Sequence, residues 1–355
     1  MRLAIITTHP IQYYAPVFRL LAKQIDIRVY YTWGEKGQNK FDPGFGTTIT
    51  WDIPLLDGYS YEWVKNTSPH PGSHHFKGII NPGLVNQITE WKADAVLVYG
   101  WAYDSHLKII RHFNNKIPVY FRGDSTLLDE KTGAKQMFRS IFLRWVYSHI
   151  SHAFYVGSNN EAYFKKFGLK KEALTFAPHA IDNERFAIDR TADSVRIRTN
   201  LNIEPTDKII LFAGKLEEKK SPQLLLNAFL NLNMPDTHLL FVGNGALATS
   251  LKTAAAQNSN IHFLTFQNQS VMPAIYQASN LFCLPSQGPG ETWGLAVNEA
   301  LAAGRPVLVS DKCGCAEDLV KPGITGEIFE ASNLADITAK LRLLMKDTDK
   351  LTTQG

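Results

Sequence analysis

Cysteine is scarce in this sequence: Cys283, Cys313 and Cys315 are the only three in 355 residues. A low, odd count fits a reducing compartment and offers no disulfide framework. Long apolar runs are missing too. The opening MRLAIITTHP is too short an apolar stretch for a secretory signal, and no run reaches the length of a membrane-crossing helix. The expected location is therefore cytoplasmic. Charge of one sign is not in large excess. A net +4 suits anionic small ligands or an anionic membrane surface, and it is too weak to argue for nucleic acid. Low-complexity segments and short repeats are absent. Metal motifs are absent as well: HPGSHH (70–75) fits no helical or zinc spacing and reads as a polar surface loop, and Cys313-Gly314-Cys315 is too short without further ligands. Asp347-Thr348-Asp349 has no strand before it and reads as solvated surface. What remains, 45% hydrophobic and 20% charged, is an ordinary globular composition with room for two domains.

Short β-branched runs alternate with amphipathic stretches. RLAIIT, IRVYYT, AVLVYG, VYFRG and HAFYVG read as strands of one sheet; IILFAG, HLLFVGNG, IHFLTF, NLFCLPS and PVLVS read as strands of another. Between them lie helical segments such as YAPVFRLLAKQ, SPQLLLNAFLNL and MPAIYQAS. This pattern predicts an α/β protein with parallel sheets covered on both faces. The polar stretch from about Ile188 to Lys208 precedes the second series of strands, so the domains are expected at 1–187 and 188–355. Two such Rossmann-like domains are expected to face each other across a cleft at the carboxyl ends of their strands, where such folds bind ligands.

Three segments carry candidate chemistry. In GPGETWGLAVNEALAAGRPVL (288–308), Glu291 and Glu299 stand eight positions apart across the start of a helix predicted from about Trp293 to Ala303. That spacing is roughly 12 Å along a helix axis. Two carboxylates accept hydrogen bonds from hydroxyls, and the backbone amides of Trp293, Gly294 and Leu295 would face an anion. FAGKLEEKKSP (212–222) is a strand and a Gly214 turn followed by Lys215 and Lys220, which could neutralise a diphosphate or lie in a solvated loop. THPIQYYAP (8–16) places His9 and Gln12 at a strand's carboxyl end, as ligand contacts or as the start of a helix. Gly243, Gly245 and Ala248 satisfy G-x-G-x-x-A, but the acid expected about 20 residues later is missing, so a tight turn bordering the cleft is the better reading than a dinucleotide site.

Taken together these residues resemble a family-4 retaining glycosyltransferase of the GT-B fold. The matching elements are Gly214-Lys215-Leu216 with Lys220, Gly243-Asn244-Gly245, Pro285-Ser286, Glu291 to Glu299, Gly304-Arg305-Pro306-Val307, Gly314, Glu317 and Gly326, with Pro178 to Asp182 and Phe186 before the linker. The resemblance covers most of the chain and is specific in its second half. It implies that Glu291 faces a donor sugar, Glu299 binds ribose hydroxyls, and Lys215 and Lys220 hold the diphosphate. It implies no cofactor beyond a nucleoside-diphosphate sugar acting as substrate. The sequence departs from the family at Lys215, where arginine is common, at Ser221 for a glycine, and at His179-Ala180 for Asn-Gly. It departs again at Phe121-Arg122-Gly123-Asp124-Ser125, where a histidine is usual. Arg122 and Asp124 there are expected either to position an acceptor hydroxyl or the donor sugar, or to shape the turn as an ion pair or cap. Family members usually continue into a helix that crosses back onto the first domain, so the ending LTTQG reads as a truncated or short form.

The expected reaction is sugar transfer to a saccharide or lipid-linked acceptor, independent of metal. Lys135 to Ile150, mixing Lys135, Arg139 and Arg144 with Phe138, Ile141, Phe142 and Trp145, reads as a core-packed helix or as one lying on a membrane surface. Two rivals stay open: a GT-B epimerase or hydrolase of nucleotide sugars, and a non-catalytic nucleotide-sugar-binding subunit.

Overall fold

The computed structural model describes residues 1–37, 41–42, 44–130 and 132–346. Asp347-Thr348-Asp349 and the LTTQG end lie outside the described residues.

The chain divides into two units. Unit 1 comprises Met1–Lys40 and Ile49–Ala180; unit 2 comprises Phe41–Thr48 and Ile181–Gly355. The boundary therefore lies between Ala180 and Ile181, earlier than the 187/188 division the sequence suggests. The physical reason is Phe186, buried on the short helix Asn183–Ala187, whose ring meets Tyr276 of unit 2 at 5.9 Å. The supposed linker is also structured. Residues Thr191–Asn200 form a helix tied into unit 2 by Ser194, whose hydroxyl donates to the Ala274 carbonyl at 2.9 Å.

The strands in chain order are β1 Arg2–Thr7, β2 Asp26–Tyr31, β3 Phe41–Asp42, β4 Thr47–Thr48, β5 Ser60–Trp63, β6 Ala95–Tyr99, β7 Val119–Arg122, β8 His152–Tyr155, β9 Leu174–Phe176, β10 Lys208–Ala213, β11 Thr237–Val242, β12 Ile261–Leu264, β13 Leu281–Leu284, β14 Val307–Ser310 and β15 Gly326–Phe329. Unit 1 carries a seven-stranded sheet in the order β5-β2-β1-β6-β7-β8-β9, and its pairs are parallel. Both faces are buried, and the alternation within each strand shows it. Ala4, Ile6, Val96 and Val98 join one apolar cluster, while Leu3, Ile5, Ala95 and Leu97 join the other.

Unit 2 carries a six-stranded parallel sheet in the order β12-β11-β10-β13-β14-β15. Its core stacks Ile210, Phe212, Leu239, Phe241, Cys283, Leu308 and Phe329 on one face. The strands β3 and β4 form a small antiparallel pair that belongs to unit 2. In each large sheet the winding reverses once, between β1 and β6 in unit 1 and between β10 and β13 in unit 2. Loops part at such a reversal and leave a crevice at the carboxyl ends of the strands.

Candidate functional site

In unit 2 the crevice is lined by the loops after β10, β11, β13 and β14. Gly243 and Gly245 let the first two loops touch. A Cβ on Gly243 would lie 2.0 Å from the Gly214 carbonyl oxygen, and one on Gly245 would lie 2.3 Å from that of Leu216. Leu216 N–H donates to the Asn244 carbonyl at 2.9 Å, and Leu247 N–H to that of Leu216 at the same distance. The Gly243–Gly245 fingerprint thus serves backbone packing between strand ends, as the tight-turn reading expects.

Over Gly214 runs the stem of Lys220, whose Cδ would sit 3.4 Å from a Cβ at that position. Lys220 Nζ donates to Glu291 Oε2 at 2.6 Å, and Ser286 Oγ donates to the same oxygen at 2.9 Å. Ser286 is buried, and its carbonyl accepts from the Ser310 hydroxyl at the end of β14. Glu291 and Lys220 keep only 10% and 17% of their side chains exposed. A cation and a carboxylate are therefore held together in a nearly dry recess at the switch point.

The helix after Glu291 spans Leu295–Ala302, with Gly294 at its N-cap in the left-handed region at φ 100°. It begins later than the predicted Trp293, so Leu295 belongs to its first turn while Trp293 lies before it. The Trp293 ring is buried, and its Nε1 donates to Asn298 at 2.7 Å. Glu299, one turn further along, is also buried and accepts a 2.8 Å hydrogen bond from the Tyr276 hydroxyl. Tyr276 is itself held by ring contacts with Phe186 and Phe282. Cys313 and Cys315 are buried beneath this loop, with their thiols near the Leu284 and Gly294 carbonyls. Burial pushes the Cys313 thiol up to about 12.

Lys215 points elsewhere than Lys220. Its Nζ lies 2.9 Å and 3.1 Å from the two carboxylate oxygens of Asp42 and 5.1 Å from the centre of the Phe45 ring. Asp42 also accepts from the Gly44 and Phe45 amides at 2.8 and 3.3 Å, and Phe45 packs on Phe266 at 5.0 Å. Burial opposes the charge on Asp42, but Lys215 and the two amides outweigh it and hold the carboxyl below its ordinary value. The structure therefore brings Gly214, Lys220 and Glu291 together and gives Lys215 an internal anion.

Unit 1 has a pocket of about 250 Å³ at its own switch point, lined from Thr7, Thr8, Ile11 and Tyr14 through Tyr99, Gly100, Ala102 and Tyr103 to Arg122, Gly123, Asp124, Val156 and His179. That is just below the roughly 300–1,000 Å³ of typical ligand pockets, so it suits one ring-sized polar group. Arg122 Nη1 and Nη2 donate to the carbonyls of Ala177 and Pro178 at 2.7 and 3.1 Å. Its guanidinium ties the strand end of β7 to the segment after β9. Asp124 is half-exposed, and its carboxylate stands 3.9 Å from His179 Nε2. His179 is buried; burial first, then the Arg122 charge, lowers it to about 4 against the opposing pull of Asp124. At neutral pH it is an uncharged imidazole in the pocket wall.

His9 and Gln12 stand beside this pocket and do not line it. His9 Nδ1 is 2.8 Å from the Thr8 hydroxyl, and its ring meets Trp33 edge-on at 5.6 Å. The loop instead presents Thr8, Ile11 and Tyr14. Sequence reading missed Tyr14, Tyr99 and His179 as pocket residues. For His179 the available signal was its place where the resemblance expects asparagine. HPGSHH is a polar loop with His70, His74 and His75 exposed.

Two doubly wound parallel sheets with polar residues gathered at their switch points are the architecture of the GT-B fold. The family described as Glycosyl transferases group 1 matches residues 193–354, the second half of the chain. Among curated proteins, the D-inositol 3-phosphate glycosyltransferase of Nocardia farcinica is 28% identical over 201 residues, 53% of this chain and 43% of that protein. The sulfoquinovosyl transferase of Arabidopsis thaliana is 29% identical over 172 residues, 48% of this chain and 32% of that protein. The matches thus span less than half of these relatives' own length. Among solved structures, sucrose-phosphate synthase from Thermosynechococcus elongatus superimposes with a TM-score of 0.74 at 16% identity, covering 100% of this chain and 92% of that one. The Anabaena protein HepE in complex with UDP gives a TM-score of 0.73 at 16% identity with the same coverage. These two likenesses establish the fold.

Proposed function

We propose that the protein is a retaining glycosyltransferase that moves a sugar from a nucleoside-diphosphate sugar to a hydroxyl of a saccharide or lipid-linked acceptor, working in the cytoplasm at the inner face of a membrane. The observation that carries the reading is the Lys220–Glu291 pair with Ser286, set over Gly214 at the switch point of the unit that matches the family. Lys220, and Lys215 once released from Asp42, stabilise charge on the departing diphosphate together with the amides ahead of the Leu295–Ala302 helix. Glu291 orients the sugar, and Glu299 takes the ribose hydroxyls. The bond from the anomeric carbon to phosphate breaks, and the nucleoside diphosphate leaves with the electron pair. The acceptor oxygen then bonds the anomeric carbon from the same face, and its proton passes to a leaving phosphate oxygen. In unit 1, Arg122 positions the pocket wall and Asp124 orients the acceptor hydroxyl.

A panel of nucleotide sugars, read by thermal shift and then by product analysis with and without acceptors, tests the reading. Stabilisation by one nucleotide sugar and retained anomeric configuration are expected. Hydrolysis or isomerisation alone would assign an epimerase or hydrolase, and binding without turnover a non-catalytic subunit. Asp124→Asn is expected to keep donor binding and lose most transfer; transfer at the wild-type rate would move the acceptor site elsewhere. Transfer is expected to survive a chelator; rescue by magnesium or manganese after its loss would overturn the lysine-based account.

A further inference from the structure

The helix Ala134–Tyr147 in unit 1 is apolar on two opposite sides. Leu143, Val146 and Tyr147 are buried, Leu143 and Tyr147 within the unit 1 core. On the outside, Met137, Phe138, Ile141, Phe142 and Trp145 are exposed, Phe138 at 67% and Ile141 at 61%. These five follow the helical repeat and form one continuous stripe. The sequence reading favoured a core-packed helix, and the structure shows a core face with a second apolar face left open to water. Phe142 and Trp145 pack on each other at 5.6 Å, and Phe142 meets Trp101 at 5.4 Å, so the stripe widens into an aromatic patch.

The charged residues of the helix itself are all basic. Lys135 and Arg144 are exposed on the helix, and Arg111 from the neighbouring helix Asp104–Phe113 lies over the Trp145 ring at 5.3 Å. From residue 132 to residue 160 the sequence contains no aspartate or glutamate. Glu130, just ahead, is engaged by Gln136 and Lys166. A self-pairing face would set these cations against their own copies without an acid between them, which disfavours a second copy as the occupant. Aromatic and aliphatic side chains rimmed by lysine and arginine match the boundary of an anionic bilayer, where tryptophan sits at headgroup depth and basic groups meet lipid phosphates.

We propose that this face docks the protein on an anionic lipid surface, with Phe138 and Ile141 entering the acyl boundary and Lys135, Arg144 and Arg111 at the headgroups. The inference deepens the reading of an acceptor presented at a membrane by naming the surface, and its test needs no transfer. Co-sedimentation of the full chain with vesicles of phosphatidylcholine plus phosphatidylglycerol, against vesicles of phosphatidylcholine alone, is the measurement. Binding to the anionic vesicles is expected, weakened about fivefold by each of Lys135→Gln and Arg144→Gln. Phe138→Ser with Ile141→Ser should abolish it while leaving the melting temperature unchanged, since both side chains are already exposed. Three results overturn the proposal: no binding by the wild type, equal binding by the Phe138→Ser/Ile141→Ser protein, or a concentration-dependent dimer that this double variant dissolves. Nucleotide affinity measured on the same variants is expected to be unchanged, so a failed transferase reading and a failed docking face give different results.

Discussion

Unit 2 gathers its charged groups from two short segments, residues 214–220 and 286–299, whereas unit 1 builds its pocket from the ends of β1, β6, β7 and β8 and from the chain after β9. The sheets are of the same kind and the recesses stand at equivalent reversals of the winding. On the proposed reading the difference lies in what each holds: neutralising a phosphate and orienting a hydroxyl take a lysine and a carboxylate at fixed separation, which loops on adjacent strands supply. The unit 1 pocket is walled by tyrosines and threonines with one committed guanidinium and one half-exposed carboxylate, a composition that many combinations of residues would satisfy. Charged chemistry is local in one unit and dispersed in the other.

The largest effect that would sharpen this contrast is expected at Lys220. Charge-assisted hydrogen bonds contribute roughly 1.5–3 kcal/mol, so Lys220→Ala should weaken nucleoside-diphosphate binding by about ten- to a hundredfold in calorimetry. It also strands Glu291, a nearly buried carboxylate, without its cation. Adding Glu291→Gln should therefore restore melting temperature while leaving the affinity low. Unchanged affinity in Lys220→Ala would remove the unit 2 site, and the comparison with it.

Acid should separate the units next. His106 and His179 in unit 1 and His262 in unit 2 are each lowered to about 4, in every case chiefly by burial. His106 is fully buried, within 2.9 Å of the Thr32 hydroxyl and of the Gly100 carbonyl. His262 faces His238, which in turn faces Asp207. A histidine near its ordinary 6.5 when unfolded and near 4 when folded binds its proton more readily in the unfolded chain. Its contribution is complete above about 6.5 and is lost as pH falls toward 4. Of these groups unit 1 carries two and unit 2 one, so amide protection factors, which allow for the slower intrinsic exchange in acid, should fall more in unit 1 than in unit 2 between pH 7 and pH 5. An equal fall in both units would break the contrast.

The fold was legible wherever burial on both faces leaves no room for polar residues, as in Ala95–Tyr99 and Lys208–Ala213. Five strands escaped, two of them the two-residue strands Phe41–Asp42 and Thr47–Thr48. Ser60–Trp63 and Leu174–Phe176 are edge strands, partly exposed, with no apolar run to betray them. Gly326–Phe329, an edge of the unit 2 sheet, is interrupted by Glu327, whose carboxylate is paired with Lys340 at 2.9 Å. The loops of Lys220 and Glu291 could be marked in the sequence by the spacing that carries the resemblance, and the structure brings the two side chains together. His179 was not, because parallel pairing alone brings the segment after β9 beside Arg122, whose guanidinium reaches a carbonyl 55 residues away. The partnership of Lys215 with Asp42 was hidden for the same reason: 173 positions separate them.

That partnership gives a smaller prediction of opposite sign. On the proposed reading Asp42 occupies the cation that a diphosphate would use, so binding displaces it. Partly exposed ion pairs contribute at most about 1 kcal/mol. Asp42→Asn should therefore tighten nucleoside-diphosphate binding by up to about fivefold, while Lys215→Ala weakens it. Weaker binding in Asp42→Asn would mean that the carboxylate helps hold the donor and does not compete with it.

The smallest effect is expected at Ser221, where the family pattern has glycine. Its backbone sits at φ 51° and ψ 43°, in the left-handed region, immediately before the helix Pro222–Leu230. A residue with a Cβ there bears a penalty of roughly 1–2 kcal/mol. Glycine removes that strain but loses about 0.5–1 kcal/mol more chain freedom on folding. It would also remove the Ser221 hydroxyl, which donates to Gln287 Oε1 at 3.3 Å, a long bond that holds the Lys220 turn against the loop after β13. The terms nearly cancel, so Ser221→Gly should shift stability by less than about 1 kcal/mol in either direction. Nucleotide affinity is the more informative readout. If the serine serves only the turn, affinity stays unchanged. A several-fold loss would show that its contact with Gln287 helps place Lys220 against Glu291, extending the local chemistry of unit 2 by one residue.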